Sequence, residues 1–310
     1  MALTTITGLP ASRFVFGCMQ WGDGAGPEDA CATWTAARAA GITHFDTAFG
    51  YTGGRSEELL GAFVSETDRE GLYVATKAGY AGGAGRSNIH TSVDTSRKRL
   101  GLDVIDLLYL HRWDPETPLD ETLEAFSELQ NRGVIRHIGV SNFAAWQVMK
   151  AQAVAQSIGT RIDAIQPMLN LVKRQAEVEL LPMASDQGIT VCSYSPLGGG
   201  LLTGKYAAGG TGRLRTDDRY AARYGLPWMT AAATSLAAIA SREGVAAATL
   251  AVAWLARHAP EVCPILSARD AGQLAPSLAG MNYVLNDDLY DEITALSPAP
   301  PPATDRIEEA

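Results

Sequence analysis

Four side chains of the kinds that move protons follow three successive apolar runs of this chain. Asp46 and, five residues later, Tyr51 come after the second such run, and Lys77 and His111 close the next two. In parallel α/β enzymes, reactive side chains gather where the strands end. The types and order of these residues therefore predict a site of acid–base chemistry at the ends of neighbouring strands.

The four types also complement one another chemically. A tyrosine can donate a proton, but its unperturbed pKa of about 10 makes release difficult at neutral pH. The Lys77 cation would lower the pKa of Tyr51, the Asp46 carboxylate would keep a buried Lys77 charged, and His111 could orient and polarise a carbonyl group. Each residue alone also fits a structural role, as a cap, a packing aromatic, a strand-end lysine or a core-edge histidine, so the prediction depends on all four.

The elements that would position these residues alternate along the chain. Short β-rich runs separated by amphipathic stretches indicate an α/β fold, a (β/α)8 TIM barrel with its site at the C-terminal face of the strands. Helix-ending glycines before strands (Gly41, Gly133, Gly188) agree with this pattern. Strands are predicted at 14–19, 43–48, 72–77, 106–111, 137–141, 163–167, 190–195 and 261–267. Helices are predicted at 28–40, 57–66, 91–100, 120–131, 144–156, 174–187 and 230–257.

Two segments depart from a minimal barrel. Residues 198–228 are Gly-rich and then charged without a clear period, and a loop of that length is usually functional. The end of the chain is rich in Pro and Ala and then acidic. We therefore expect one barrel domain at 1–296 and a flexible tail at 297–310. Ser56 is expected to cap a helix that starts at Glu57.

The set Asp46, Tyr51, Lys77 and His111, in this order and setting, resembles the catalytic tetrad of the aldo-keto reductases, and the resemblance extends over nearly the whole chain. It implies a barrel enzyme that reduces an aldehyde or ketone with a nicotinamide cofactor. Tyr51 would be the general acid, Lys77 would tune it, Asp46 would pair with Lys77, and His111 would position the carbonyl oxygen.

The resemblance also implies a cofactor site. The nicotinamide amide would contact the side chains that follow strands five and six, and the pyrophosphate would lie along the Gly-rich segment after strand seven, where glycines allow close approach. Tyr194 would stack on the nicotinamide ring. The implied cofactor-binding residues are Cys18, Met19, Asp46, Ser141, Asn142, Gln166, Tyr194, Ser195, Pro196, Leu197, Gly198, Gly200, Leu201, Lys205, Ser267, Arg269 and Gln273.

The adenosine end of the cofactor would lie near the eighth strand. Arg269 and Lys205 are the cations suited to a 2′-phosphate. Family members often carry a glycine or basic residue at the position of Ser267 and Glu-Asn at the positions of Pro276 and Ser277. We expect NADP, the family's dominant cofactor, with NAD as the alternative.

Aromatic residues on the loops at the same face are expected to form the substrate walls. Trp21 follows strand one, Tyr80 follows strand three, Trp113 follows His111, and Trp228 ends the long loop. An apolar or aromatic aldehyde would suit such walls, although each ring could equally cover the barrel mouth.

Three other motifs are weaker indications of function than the tetrad. The spacing of Gly22, Gly24 and Gly26 is not that of a dinucleotide-binding turn. Residues 199–205 resemble a P-loop, but Tyr206 stands where a magnesium-binding Ser or Thr is required. Tyr73 and Lys77 have the spacing of the short-chain dehydrogenase pair, but that pair works on a helix and this stretch is predicted as a strand.

The composition of the chain narrows the possible classes of protein and of partner. The chain has 310 residues, 46% of them hydrophobic, and a net charge of −9. An acidic chain without basic clusters argues against nucleic acid and anionic membranes as partners. The four cysteines form no Cys-x-x-Cys pair, so neither a metal site nor a disulfide framework is expected. Residues 1–10 do not resemble a signal peptide, and no run is long enough to span a membrane.

We therefore expect a cytoplasmic NADPH-dependent carbonyl reductase, a monomer or weak homo-oligomer acting on a small-molecule carbonyl or alcohol. Two alternatives remain. One is an NAD-dependent sugar or alcohol dehydrogenase on the same fold. The other is a cofactor-sensing regulatory subunit, since the family includes barrels attached to ion channels and a fold alone does not define activity.

Overall fold

The computed structural model describes residues 3–206 and 209–304. Within them, eight parallel strands pair in sequence order, and the last pairs with the first to close a barrel. This confirms the predicted (β/α)8 fold. The strands are β1 Val15–Gly17, β2 His44–Asp46, β3 Tyr73–Ala78, β4 Ile105–Leu110, β5 Ile135–Ser141, β6 Ala164–Gln166, β7 Thr190–Ser193 and β8 Val262–Leu266.

Helices surround the barrel and connect the strands. The helices in the described residues are α1 Pro27–Ala39, α2 Arg55–Ser65, α3 Arg86–Leu100, α4 Leu119–Asn131, α5 Ala145–Ser157, α6 Leu180–Gln187, α7 Arg213–Thr216, α8 Asp218–Tyr224, α9 Pro227–Arg242, α10 Ala247–His258, α11 Ala271–Gly280 and α12 Asp287–Thr294. Short 3-10 turns occur at Cys18–Gln20, Tyr51–Gly54, Arg69–Gly71, Gln175–Glu177 and Gly198–Thr203.

Alternate residues of each strand face opposite sides of the barrel wall, as the strand period requires. Val74 and Leu108 pack outward among the helices, whereas Tyr73 and Tyr109 belong to a separate cluster inside the barrel. Gly139 of β5 leaves room for the Tyr109 ring, because a Cβ atom there would lie 2.5 Å from a ring carbon. The interior is thus filled by side chains, with no open pore.

A buried carboxylate fixes the strand ends opposite the predicted site. Asp106 is fully buried near the start of β4 and pairs with Arg69 at 2.5 Å and with Arg136 at 2.7 Å. It also accepts a hydrogen bond from the backbone N–H of Val74. These contacts satisfy the buried charge and join β3, β4 and β5.

Each predicted strand overlaps an observed one, but several helix predictions need correction. The single helix predicted at 230–257 is two helices, α9 and α10, because Gly244 between them has a φ of 69°. Helix α2 begins at Arg55 after Gly54, and Ser56 is not its cap. The Ser56 hydroxyl instead donates to the Cys18 carbonyl. Helices α11 and α12 were not predicted.

The segment 198–228 is more ordered than its sequence indicates. It contains the 3-10 turn at Gly198–Thr203 and helices α7 and α8. Tyr224 of α8 is fully buried, and its hydroxyl lies 3.3 Å from the Met168 sulfur and 3.5 Å from the Asn170 amide. These contacts hold α8 against the loop after β6.

Two further expectations concern the end of the chain and membranes. Residues 297–304 carry neither helix nor strand, and the remainder of the predicted tail lies outside the described residues. In the described part of the chain, no helix by itself has the length and apolarity to cross a membrane. Helices α9 and α10 meet that test only as a pair, and the pair is bent by 102°.

We predict that Gly139→Ala destabilises the barrel. The added methyl group would overlap the buried Tyr109 ring, and overpacking of this kind costs about 1–3 kcal/mol. Chemical denaturation would measure the free energy of unfolding. Gly71→Ala is the matched control, because a Cβ there meets only an Asp68 oxygen at 3.6 Å. Equal stabilities of the two variants would contradict the packing described for Tyr109.

Candidate functional site

The barrel brings the four residues of the predicted tetrad together at its C-terminal mouth. Asp46 ends β2, Lys77 lies near the end of β3, and His111 directly follows β4. The Lys77 side chain is buried, with 1% exposure. Its ammonium group donates to the Asp46 carboxylate and, at 2.8 Å, to the carbonyl of Thr47. The expected pairing of Lys77 with Asp46 is therefore present.

Tyr51 lies on a tight turn above this ion pair. Its ring centre is 5.0 Å from the Lys77 nitrogen and 5.7 Å from the His111 ring, which it meets edge-on. The turn is held by backbone bonds from Phe49 to Lys77 and from Tyr51 to Ala48. Thr52, at a φ of 49°, ties the turn to the first loop by donating to the Trp21 carbonyl.

Burial and the charge of the partner groups shift the pKa values of Tyr51 and Lys77 in opposite directions. Burial raises the pKa of Tyr51, the Lys77 cation opposes this by charge and by hydrogen bonding, and the net pKa lies above the usual value. Burial lowers the pKa of Lys77, but Asp46 and Tyr51 outweigh it, so the net pKa is raised. The expected influence of Lys77 on Tyr51 is thus present, yet desolvation is larger. Tyr51 is protonated and Lys77 charged at neutral pH.

His111 is a neutral imidazole. Burial, together with the cations Lys77 and Arg112, lowers its pKa to about 3. Its backbone is fixed by an N–H bond to the Ala78 carbonyl and by its own carbonyl, which accepts from the Asn142 amide. A neutral ring carries one N–H donor, which suits contact with a carbonyl oxygen.

A polar network extends from the ion pair across β5, β6 and β7. The Gln166 amide donates to the second Asp46 oxygen at 2.8 Å. The Ser141 hydroxyl donates to the Gln166 carbonyl at 3.0 Å and accepts from Asn142. The Tyr194 hydroxyl donates to the Asn142 amide oxygen at 2.7 Å. The structure therefore joins four predicted cofactor residues to the ion pair; the Gln166–Asp46 contact was not foreseen.

The segment after β7 makes a glycine-lined turn. Ser195 has a φ of 61°, and the glycines at 198–200 all have positive φ. The Ser195 carbonyl accepts from Asn170, while Pro196, Gly198 and Leu201 are buried and Leu197 and Gly200 half-buried. Lys205 is exposed beyond the turn, with its ammonium 5.0 Å from the Tyr206 ring. Close backbone approach by an anion requires such a turn.

The residues after β8 and β1 flank this turn. The Ser267 hydroxyl is buried and has no hydrogen-bond partner in the described residues. Arg269 and Gln273 are exposed. Cys18 is fully buried, and burial raises the pKa of its thiol well above the usual value, whereas Met19 is half-buried.

The aromatic residues predicted as substrate walls divide into two groups. Tyr80 is 51% exposed with its ring 4.9 Å from His111, and Trp113 is half-buried against Phe143. Trp228 is half-buried in α9. Trp21 is fully buried, and its indole donates to Thr33 at 3.0 Å. Trp21 therefore belongs to the core and has no surface with which to line a mouth.

Three residues that the sequence analysis did not predict also lie near the site. Tyr220 of α8 acts electrostatically on Tyr51, and Arg223 acts on Tyr194. Arg112 lies 4.7 Å from the Tyr80 ring centre. Arg112 could have been found because it directly follows His111. The residues of α8 carry no such signal, since their segment has no clear period.

Comparisons with known proteins find relatives along nearly the whole chain. The model of the Aldo/keto reductase family matches residues 13–298. The probable voltage-gated potassium channel subunit beta of Oryza sativa subsp. japonica is 31% identical over 324 residues, covering 96% of this chain and 97% of that protein. Aldo-keto reductase YhdN of Bacillus subtilis (strain 168) is 33% identical over 307 residues, covering 94% and 91%. Aflatoxin B1 aldehyde reductase member 2 of Rattus norvegicus is 37% identical over 198 residues, covering 62% and 54%.

A second buried histidine, His44, should make the stability of the fold depend on pH. Burial and Lys77 lower the pKa of His44, inside the barrel, from 6.5 to about 3. The unfolded chain therefore binds a proton that the folded barrel excludes, and stability falls as pH drops below 6.5. Between pH 6 and 5 this histidine should contribute a slope of about 1.4 kcal/mol per pH unit.

Denaturation of His44→Leu across this range would measure the contribution. The variant should show a slope shallower by about that amount. Gly139→Ala is the control, since it should lower the free energy of unfolding equally at both pH values. An unchanged slope in His44→Leu would mean that His44 is not kept neutral by the fold.

Proposed function

Because the chain belongs to the aldo/keto reductase family, we propose that it reduces an aldehyde or ketone to the alcohol with NADP(H), using Tyr51 as the general acid. The observation that carries the proposal is the convergence of Tyr51 and neutral His111 over the buried ion pair of Lys77 and Asp46. A protonated phenol and a neutral imidazole N–H can both donate to one carbonyl oxygen.

Each residue has a distinct proposed role. Tyr51 donates the proton that the reduced oxygen requires, and the adjacent Lys77 charge stabilises the phenolate left behind. Asp46 holds Lys77 charged. His111 orients the carbonyl and withdraws electron density from its carbon. Tyr51 and His111 would contact substrate, whereas Asp46 and Lys77 act through Tyr51.

The residues around the tetrad fit a nicotinamide dinucleotide. Ser141, Asn142 and Gln166 offer the hydroxyl and amide groups that complement a carboxamide, and the half-buried Tyr194 offers a ring for stacking. The glycine-lined turn after Ser195 offers backbone to a pyrophosphate, and the Ser267 hydroxyl has an unused hydrogen-bonding capacity. When bound, the nicotinamide supplies the hydride.

The remaining expectations are part of the same proposal. Tyr80, Trp113 and Trp228 would form the substrate walls. The barrel domain would occupy residues 1–296, followed by the tail at 297–310. The four free cysteines support a cytoplasmic location. The protein would be a monomer or weak homo-oligomer.

A regulatory role is the second candidate. The observation in its favour is the similarity to a probable potassium channel subunit along almost all of both chains. The assembled tetrad favours an enzyme, since a barrel that only sensed the cofactor would not need an acid beside a carbonyl site. Turnover by the purified protein separates the two candidates.

We predict that Tyr51→Phe abolishes carbonyl reduction while cofactor affinity stays within about twofold of wild type. The substitution removes one hydroxyl and retains the ring, so only the proton donor is lost. General-acid catalysis is worth roughly 10²–10⁴-fold in rate. Reduction of 4-nitrobenzaldehyde, followed by NADPH absorbance, would measure the loss.

Tyr283→Phe is the matched control, because this half-buried tyrosine lies between α11 and α12, away from the mouth. It should keep wild-type turnover. Full activity in Tyr51→Phe would rule out Tyr51 as the acid. Loss of cofactor binding together with activity would assign Tyr51 to the cofactor site instead.

We further predict tighter binding of NADPH than of NADH. Arg269 and Lys205 are both exposed and would contact the 2′-phosphate. Quenching of tryptophan fluorescence during parallel titrations would measure both affinities. Arg269→Ala should weaken NADPH binding and leave NADH binding unchanged. Equal affinities in wild type would instead favour the NAD-dependent dehydrogenase, and binding of neither would contradict the proposed function.

A further inference from the structure

We propose that Cys192 and Cys263 form a site of reversible oxidation, at which a hydroperoxide converts the two thiols into a disulfide that joins β7 to β8. The inference does not depend on the proposed function, in which neither cysteine has a role. It rests on the register of the two strands, on the direction of both side chains, and on a hydrogen bond between the two sulfur atoms.

The strand register places the two cysteines side by side. Cys192 of β7 is the direct partner of Cys263 of β8 in the parallel ladder. Neighbouring strands lie about 4.7–4.9 Å apart. Disulfides join residues whose Cα atoms are about 4.4–6.8 Å apart. The backbone of the closed barrel therefore already meets the main geometric condition for a disulfide.

Both cysteine side chains point into the barrel. Val191 and Val262, the residues just before them, pack outward among the helices. Cys192 belongs to the interior cluster, and Cys263 packs against that cluster. The two side chains are close enough to share a hydrogen bond. The thiols thus meet without rearrangement of either strand.

The shared hydrogen bond makes the two thiols chemically unequal. It lowers the pKa of Cys263, which burial opposes and the Arg13 charge supports, and the net pKa lies below the usual value. The same hydrogen bond, together with burial, raises the pKa of Cys192 well above the usual value. Cys263 is therefore the better thiolate and Cys192 keeps its proton, which suits an attacking sulfur beside a resolving one.

Cys263 is also the more accessible cysteine of the pair. It is half-buried near the start of β8, whereas Cys192 is 1% exposed. The exposed Arg13 donates to the carbonyl of Val262 at 3.1 Å, which keeps its positive charge at this end of the strand. Thiolate character and exposure together govern the oxidation of cysteine, so Cys263 should react first.

The oxidation takes place in two steps. The Cys263 sulfur attacks one oxygen of hydrogen peroxide, the O–O bond breaks, and the leaving hydroxide takes up the proton of that thiol as water. The Cys192 sulfur then attacks the sulfenic sulfur of Cys263, the S–S bond forms, and the S–O bond breaks. The hydroxyl group leaves with the Cys192 proton as a second water. The dithiol loses two electrons, and the peroxide gains them.

Titration of the reduced protein with hydrogen peroxide tests the site. After alkylation in denaturant, peptide mass spectrometry should find Cys192 and Cys263 joined, and dithiothreitol should restore both thiols. Cys31→Ser is the matched control, because Cys31 is exposed on α1 and should take no part. It should form the same disulfide as the wild type, at a rate within about twofold.

Two results of this titration would overturn the proposal. One is full alkylation of both Cys192 and Cys263 at a peroxide concentration that already oxidises Cys31. The other is a disulfide that forms only when the oxidant is added in denaturant, which would assign it to the unfolded chain. Because the linked peptides are mapped in the wild type, this test does not require that any variant folds.

Variants of each cysteine test the order of the two steps. In Cys192→Ala the resolving thiol is absent, so Cys263 should be trapped by dimedone as a sulfenic acid and then pass to a sulfinic acid that dithiothreitol does not reduce. In Cys263→Ala the remaining Cys192 should oxidise at least about tenfold more slowly than Cys263 does in the other variant. Circular dichroism would verify that both are folded. Faster oxidation of Cys192 in the folded Cys263→Ala would overturn the assignment of Cys263 as the attacking sulfur.

Discussion

The buried ion pair of Lys77 and Asp46 is the interaction on which the mouth of the barrel depends. A lysine with 1% exposure would cost several kcal/mol if left without partners. The Asp46 carboxylate and the Thr47 carbonyl satisfy the ammonium, and Gln166 satisfies the second carboxylate oxygen. The ends of β2, β3 and β6 are thereby fixed relative to one another before any ligand contributes.

Burial, with the same cation in support, sets the protonation of the neighbouring histidines. Together with burial, Lys77 lowers the pKa of His111 and His44 to about 3 in each case. The positive charge of the interior thus stays on one residue, and both histidines remain neutral. A polar network built on one ion pair with neutral neighbours keeps its hydrogen bonds as long as that pair stays ionised.

The sequence alone predicts the barrel and the tetrad because the strands, and the residues at their ends, can be located from the apolar runs. Alternation of short apolar runs with amphipathic stretches is a strong signal, and Asp46, Lys77 and His111 close three such runs. Details set by tertiary contacts were missed. Trp21 looks like a mouth residue by position, but the first loop turns its indole inward to Thr33. Helix α8 is too short to show a period, so the position of Tyr220 and Arg223 could only come from packing.

The balance at Tyr51 bears on the direction of the proposed reaction. Reduction needs the phenol to hold its proton until the carbonyl oxygen takes it, whereas oxidation needs a phenolate to begin. Burial raises the pKa of Tyr51 more than Lys77 lowers it, so the mouth favours the protonated form. Lys77 acts most strongly once the proton has left, because its charge then faces an anion. Burial thus favours the acid before the reaction and the cation stabilises the product of its ionisation, an order that suits reduction.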